Sequence, residues 1–453
     1  MEEKNDFANM TVDRTAIDGE PAPTDSPDRE LLIFGEGGGS FTKENGPSKF
    51  TKLKTRYIVL LVLAGMVLGA AAALGAVAVV SGGLSNLHWA KTMSEHDYSV
   101  IGDVLEYIDR YHFGDPIDEQ KLIDSAAHGL VDAMDDPYAA YFTVKEHDEY
   151  SSSFNGNYVG IGIVVYNPDG TGALVHRVYE GSFAEEAGLL AGDLITAVDG
   201  VDVKDVSGTE LVDRITGESG TTVDITFTRG GEEMTLTVTR GEVYVRRVEH
   251  MMLDDGIGYL NLTSFSGNAV NEFRDALDDL IANGAKSVAV DLRNNPGGSL
   301  SIVVDICDML LPECVICSMQ GKTTDPTKYF NSDAEMYDLP MCVIVNEHSA
   351  SASEIFAGAM QDNGRAKIVG AKTYGKGVVQ TTFPMEGEHG WIKLTTDAYY
   401  TPNGTNLGGM GVTPDVEVGL AEELDGLDPY DLIHDHIDED AQLAAAVELL
   451  KAD

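Results

Sequence analysis

One long apolar run, followed by two changes of rhythm, organises this 453-residue chain. From Tyr57 to Val80 the sequence is apolar throughout, and no Asp, Glu, Lys or Arg occurs between Arg56 and Lys91. A helix of that length would measure about 36 Å, enough to cross a hydrocarbon core of ~30 Å. The run predicts a single transmembrane helix over residues 57–80. Cleavage near its small residues, Ala70 to Ala78, is the alternative. Lys49, Lys52, Lys54 and Arg56 precede it with no acid among them. That asymmetry predicts a cytoplasmic N-terminus and residues 85–453 outside the cell membrane.

Beyond the span the pattern turns helical. Val100, Val104, Leu105, Ile108 and Tyr111 recur at helical spacing, as do Leu122, Ile123, Ala126, Leu130 and Val131. Residues 92–155 therefore read as an N-terminal helical region, its amphipathic faces buried in a core or used as a dimerisation arm. From 156 to 242 short β-rich runs replace the helices, at 158–166, 174–178, 194–198, 223–228 and 234–239. Short helices are predicted at 183–187 and 207–215.

From Val243 strands and helices alternate: strands at 256–262, 288–291, 341–345 and 367–369, helices at 268–283, 302–311 and 353–361. This predicts an α/β domain over residues 243–420, its sheet covered by helices. An acidic helical segment, 421–453, closes the chain. Ligands in such sheets gather at the carboxyl ends of strands. Two loops lie there, Asp291-Leu292-Arg293-Asn294-Asn295-Pro296-Gly297-Gly298 and Asn346–Ser351, and their meeting would bring the glycine pair to the serine cluster.

Charge narrows the function. With 75 acidic against 30 basic residues the formal charge is −45, which excludes a nucleic-acid partner needing a basic face. Residues 1–55, rich in Pro, Gly, Asp and Glu, predict a disordered cytoplasmic tail. Their glycines follow no strand, so no phosphate loop is implied. Cys307, Cys314, Cys317 and Cys342 lack a second CxxC or a histidine pair, so they read as unpaired core thiols and no metal site is expected. No cofactor is implied.

The chemistry concentrates in Ser349-Ala350-Ser351-Ala352-Ser353-Glu354 and in Thr373-Tyr374-Gly375-Lys376-Gly377 with Gln380. A serine hydroxyl needs a base beside it. A lysine can serve once its surroundings drive off its proton. Two glycines would let the Lys376 stem lie close to the backbone near the serine. Ser349 or Ser353 would cap the following helix, Glu354 would complement its N-terminus, and His348 reads as a loop residue.

Together these motifs resemble the C-terminal-processing (tail-specific) serine peptidases. The resemblance runs from about residue 97 to 450. It includes Asp136-Pro137-Tyr138, Gly160-Ile161-Gly162-Ile163, Ala187-Gly188-Leu189, the Asp291–Gly298 loop, the serine and lysine motifs, and Gly411-Val412-Thr413-Pro414-Asp415. It implies an α/β (α+β) protease core with an inserted PDZ domain at 156–242, here preceded by the transmembrane helix. Ser351 would be the nucleophile, Lys376 the general base and Gln380 the residue orienting it. Ala352 N–H with Gly297 or Gly298 N–H would form the oxyanion hole. Gly160, Ile161, Gly162 and Ile163 would cradle a substrate's terminal carboxylate. The implied partners are exported proteins with free apolar C-termini and, by analogy, a second copy of the chain. One position departs: Thr216 stands where the family often has arginine, so coupling of the PDZ to the protease would differ. The rival reading is an inactive PDZ scaffold at the membrane surface.

Overall fold

The computed structural model describes residues 99–115, 117–166, 172–321 and 326–452. The chain divides into two compact units, one through His112 and one from Phe113 onward. The described part of the first is helix α1 (Ser99–Tyr111), none of whose side chains is buried.

The second unit opens with α2 (Glu119–Asp132), β1 (Ala140–Phe142) and α3 (Val144–Phe154). Helix α3 starts at a capping box: Thr143 Oγ1 accepts from Glu146 N–H, and the Glu146 carboxylate accepts from Thr143 N–H. A ribbon of β2 (Asn157–Gly160) and β9 (Gly241–Tyr244) brackets a separate sheet. That sheet holds β3 (Ile163–Tyr166), β4 (Ala173–Val178), β5 (Leu194–Val198), β6 (Val201–Asp202), β7 (Thr222–Arg229) and β8 (Glu232–Thr239), with helices α4 (Phe183–Ala187) and α5 (Gly208–Ile215). Ile161, Val175, Ile195, Leu211, Ile225 and Phe227 form its core. The sequence suggested one strand over 158–166. Gly162, at φ +89°, breaks it in two, and a Cβ there would lie 2.3 Å from Ser182 Cβ.

The remaining elements are β10 (Val248–Met252), β11 (Ile257–Leu262), α6 (Ala269–Ala282), β12 (Ser287–Asp291), α7 (Leu300–Asp308), β13 (Val315–Gly321), β14 (Lys328–Asn331), β15 (Met341–Val345), α8 (Ala352–Asp362), β16 (Lys367–Gly370), β17 (Val378–Pro384), β18 (Trp391–Tyr400), β19 (Val416–Glu417), α9 (Pro429–Asp435) and α10 (Ala441–Ala452). A six-stranded sheet runs β10-β11-β12-β15-β16-β19, parallel except for β10. Alternate side chains serve opposite layers. Val288, Val290, Val343, Val345 and Ile368 join a core with Phe273, Ile306 and Phe356; Ala289, Cys342, Ile344 and Val369 pack with Leu443 and Ala446 of α10. A second, antiparallel sheet sets β18 between β13, β17 and β1.

The expected anchor requires a correction. No helix among the described residues is long and apolar enough to cross a membrane, so the fold class the structure supports is an α/β protease core with a PDZ-like domain, and the transmembrane helix is not part of it. The apolar run at 57–80 and the tail at 1–55 lie outside the described residues.

Candidate active site

Strands β12 and β15 are adjacent and parallel, so the loops leaving their carboxyl ends meet side by side. They are stitched by polar contacts: Ala350 N–H and Ser353 Oγ both donate to Asn295 O, at 3.0 and 2.9 Å. Ser349 Oγ donates to Leu292 O at 2.8 Å. Ser349 and Ser353 are thus buried loop staples and neither caps the helix. Capping falls to Glu354, which reaches back to the Ser351 N–H at 2.9 Å.

Ser351 sits at the entry to α8 with φ +57° and ψ −112°. Among the described residues the other non-glycine positions at positive φ are all Asp or Asn. Those side chains tolerate that region better than serine does, and such a conformation costs of order 1–3 kcal/mol. It persists because the loop on both sides is tied down.

Glu354 organises the site. Its side chain is fully buried, and no cation pairs with it among the described residues. Thr373 Oγ1 and Gly375 N–H donate to one oxygen, each at 2.7 Å. Ser351 N–H and Lys376 N–H donate to the other, at 2.9 and 2.8 Å. A carboxylate can be buried when this many donors replace its water. The effect is to pin the serine loop and the lysine loop to one another. Tyr399 adds its hydroxyl, donating to Lys376 O. Sequence reading gave Glu354 only its helix-end role, because the donors from the lysine loop lie about twenty positions away.

The Lys376 side chain is half-buried, and its Nζ lies 4.5 Å from the centre of the Tyr138 ring. Burial lowers its pKa below the ordinary lysine value, the Lys393 ammonium lowers it further, and Glu354 and Asp136 oppose both. Ser351 Oγ and Lys376 Nζ share no hydrogen bond. Gln380 Nε2 donates to Thr395 Oγ1 at 3.1 Å, and its amide makes no hydrogen bond to Lys376.

Gly297 lies against the nucleophile loop. A Cβ placed on it would be 2.7 Å from Ala350 O, 2.8 Å from Ala352 N and 2.8 Å from Ser351 Cβ. Its own N–H is engaged by Asn295 Oδ1 at 2.8 Å. The N–H groups of Ala352 and Gly298 meet no acceptor among the described residues. Beneath this loop, fully buried Arg293 is held by Asp291 at 2.5 Å and Asp440 at 2.8 Å, with Gln442 accepting at 3.2 Å. The acidic C-terminal segment therefore supports the glycine loop from below.

In the smaller domain, Ile161 O and Gly162 O accept from Ala184 and Tyr179 N–H, and Ile163 opens β3. Strand β3 is at the edge of its sheet. Gly160 belongs to the ribbon with β9 and pairs with Gly241. His348 is exposed, beside Glu347. The four cysteines are free, three buried and Cys314 half-buried.

Comparison with known proteins follows the same lines. The model for peptidase family S41 matches residues 256–418, and a PDZ-domain model matches 174–229. The chain is 32% identical over 382 residues to a Staphylococcus haemolyticus protein named "Probable CtpA-like serine protease", covering 83% of this chain and 75% of the relative. The chain belongs to peptidase family S41. A carboxy-terminal-processing protease of Bartonella bacilliformis is 35% identical over 340 residues, covering 72% of this chain and 77% of that one. Among solved structures, a Bacteroides fragilis protein described as an S41 protease aligns with a TM-score of 0.51 at 18% identity, over 79% of this chain and 98% of that one. That likeness is one of fold. This S41 member is thus a serine peptidase of the C-terminal-processing kind, with a PDZ domain and peptide substrates.

Proposed function

We propose that the protein is an endopeptidase that cleaves protein substrates near free, apolar C-termini, with Ser351 as nucleophile and Lys376 as general base. The observation that carries this is the shared Glu354 oxygen, which accepts from the main chains of Ser351 and Lys376 together. The lysine already has the environment a base needs, burial and a neighbouring like charge. It then has to swing from the Tyr138 ring to the hydroxyl. Gln380 is a fitting partner for that movement. Its carbonyl oxygen accepts nothing among the described residues, and a neutral acceptor can orient an amine without fixing a proton on it.

The N–H groups of Ala352 and Gly298 are the proposed oxyanion donors, and Gly297 contributes the absence of a side chain. In the PDZ domain, a substrate tail would add to the open edge of β3, its carboxylate at the Gly160–Ile163 turn. The test is cleavage of a peptide with a free apolar C-terminus by the full chain beside its Ser351→Ala variant. Equal activity in the two would leave the inactive-scaffold reading standing.

A further inference from the structure

A second amine stands beside the site. Lys393, on β18, is half-buried, and its Nζ lies 5.5 Å from the centre of the Phe142 ring and 5.1 Å from that of Tyr150. Those two rings are stacked, 5.1 Å apart at 22°. Lys393 opposes Ala140 in the β1–β18 register. Two positions before Ala140 is Tyr138, whose face carries the Lys376 amine. One short segment, 138–142, therefore supplies aromatic support to both amines.

The chain has 75 carboxylate side chains against 30 basic ones. Among the described residues neither Lys376 nor Lys393 has a carboxylate within salt-bridge distance, whereas Lys367 and Lys451 do. Aromatic faces hold an ammonium without a full counter-charge, so its field reaches its neighbours largely uncancelled. A lysine beside another cation is a known route to a nucleophilic or basic amine at neutral pH.

We propose that Lys393 is a positioning residue for Lys376: its ammonium, resting on the stacked Phe142 and Tyr150 rings, supplies a positive charge that favours the neutral form of the Lys376 amine. This rests on the reading of Lys376 as the base. The groups facing the two amines are Asp136 in the turn before β1, Tyr138, Tyr150 on α3 and Glu354 on α8. Burial is the larger effect on Lys376 and Lys393 adds to it, while the carboxylates of Glu354 and Asp136 pull the opposite way.

The test is competitive acetylation of the full chain across a pH series, with labelling of Lys376 read by peptide mass spectrometry beside kcat/KM at each pH. In Lys393→Met, or in Lys393→Gln should the methionine variant fold poorly, the labelling midpoint of Lys376 moves up by roughly half a unit to one unit. That is the range for like charges on two half-exposed amines largely screened by water, at an effective dielectric approaching ~80. The acid limb of kcat/KM moves with it, and Lys393→Arg restores both. An unchanged labelling midpoint in the folded neutral variant overturns the proposal, whatever the activity does. A shifted midpoint with an unmoved activity profile upholds the role of Lys393 and counts against Lys376 as the base.

Discussion

The main-chain amides of Ser351 and Lys376 donate to the same carboxylate oxygen, that of Glu354, at 2.9 and 2.8 Å. Two loops that leave different strands are thereby held in one register, and the other Glu354 oxygen ties Thr373 and Gly375 to the same point.

Glu354→Gln keeps the size of the side chain and turns an amide N–H toward donors that need an acceptor. Each buried donor left unsatisfied costs about 1–3 kcal/mol. The variant should lose at least ~10²-fold in kcat/KM, with a lower urea midpoint. Wild-type kcat/KM in Glu354→Gln would show that the shared oxygen is not what aligns the loops.

Gly297→Ala tests the close approach of the glycine loop. A Cβ there meets Ala350 O and Ala352 N at under 3 Å, at a φ of +102° that alanine resists. Displacing the Ala352 N–H should cost ~10²–10³ in turnover, as loss of an oxyanion donor does. Steady-state kinetics of the purified variant would read it, and unchanged turnover would remove Ala352 from the oxyanion hole.

The lysine sets the pH dependence. Its folded pKa is depressed from the ordinary 10.5, chiefly by burial, so the folded state releases a proton that the unfolded chain keeps. Below the folded pKa the charged amine destabilises the fold in full. The penalty fades as pH rises through the window between the folded pKa and 10.5. Activity should run the same way, lost as pH falls through the folded pKa. A kcat/KM profile that falls with rising pH across the neutral to mildly alkaline range would contradict this.

Recognition of the substrate's end can be separated from cleavage. An apolar-tailed peptide with a free carboxylate should bind the Ser351→Ala protein at least ~10-fold more tightly than its C-terminal amide, since the amide removes the charge that converging N–H groups favour. Fluorescence anisotropy would measure both, and equal affinities would remove the Gly160–Ile163 turn from carboxylate capture.

Much of this architecture is written locally in the chain. Val288–Val290 and Met341–Val345 are continuous apolar runs, as strands buried on both faces must be. The helices between them show their buried stripes. The loops carrying Gly297 and Ser351 follow from where such strands end. Other features depend on partners far away. Strand β1 is only three residues long and exists because β18 pairs with it. Strand β18, Trp391 to Tyr400, carries threonines, a lysine and an aspartate and lacks a clear alternation, since it is half-buried along most of its length. The buried ring of donors around Glu354 and the ion cluster joining Asp291, Arg293 and Asp440 assemble side chains from distant segments. The apolar run at 57–80 is a strong local pattern that lies outside the described residues.

The most direct test is fluorophosphonate labelling of Ser351 in the Lys376→Arg variant, with the fold checked by circular dichroism. Arginine keeps the positive charge and stays protonated at any working pH. The account predicts a folded protein whose serine fails to label and whose peptide cleavage is abolished; labelling of Ser351 at the wild-type rate would contradict it.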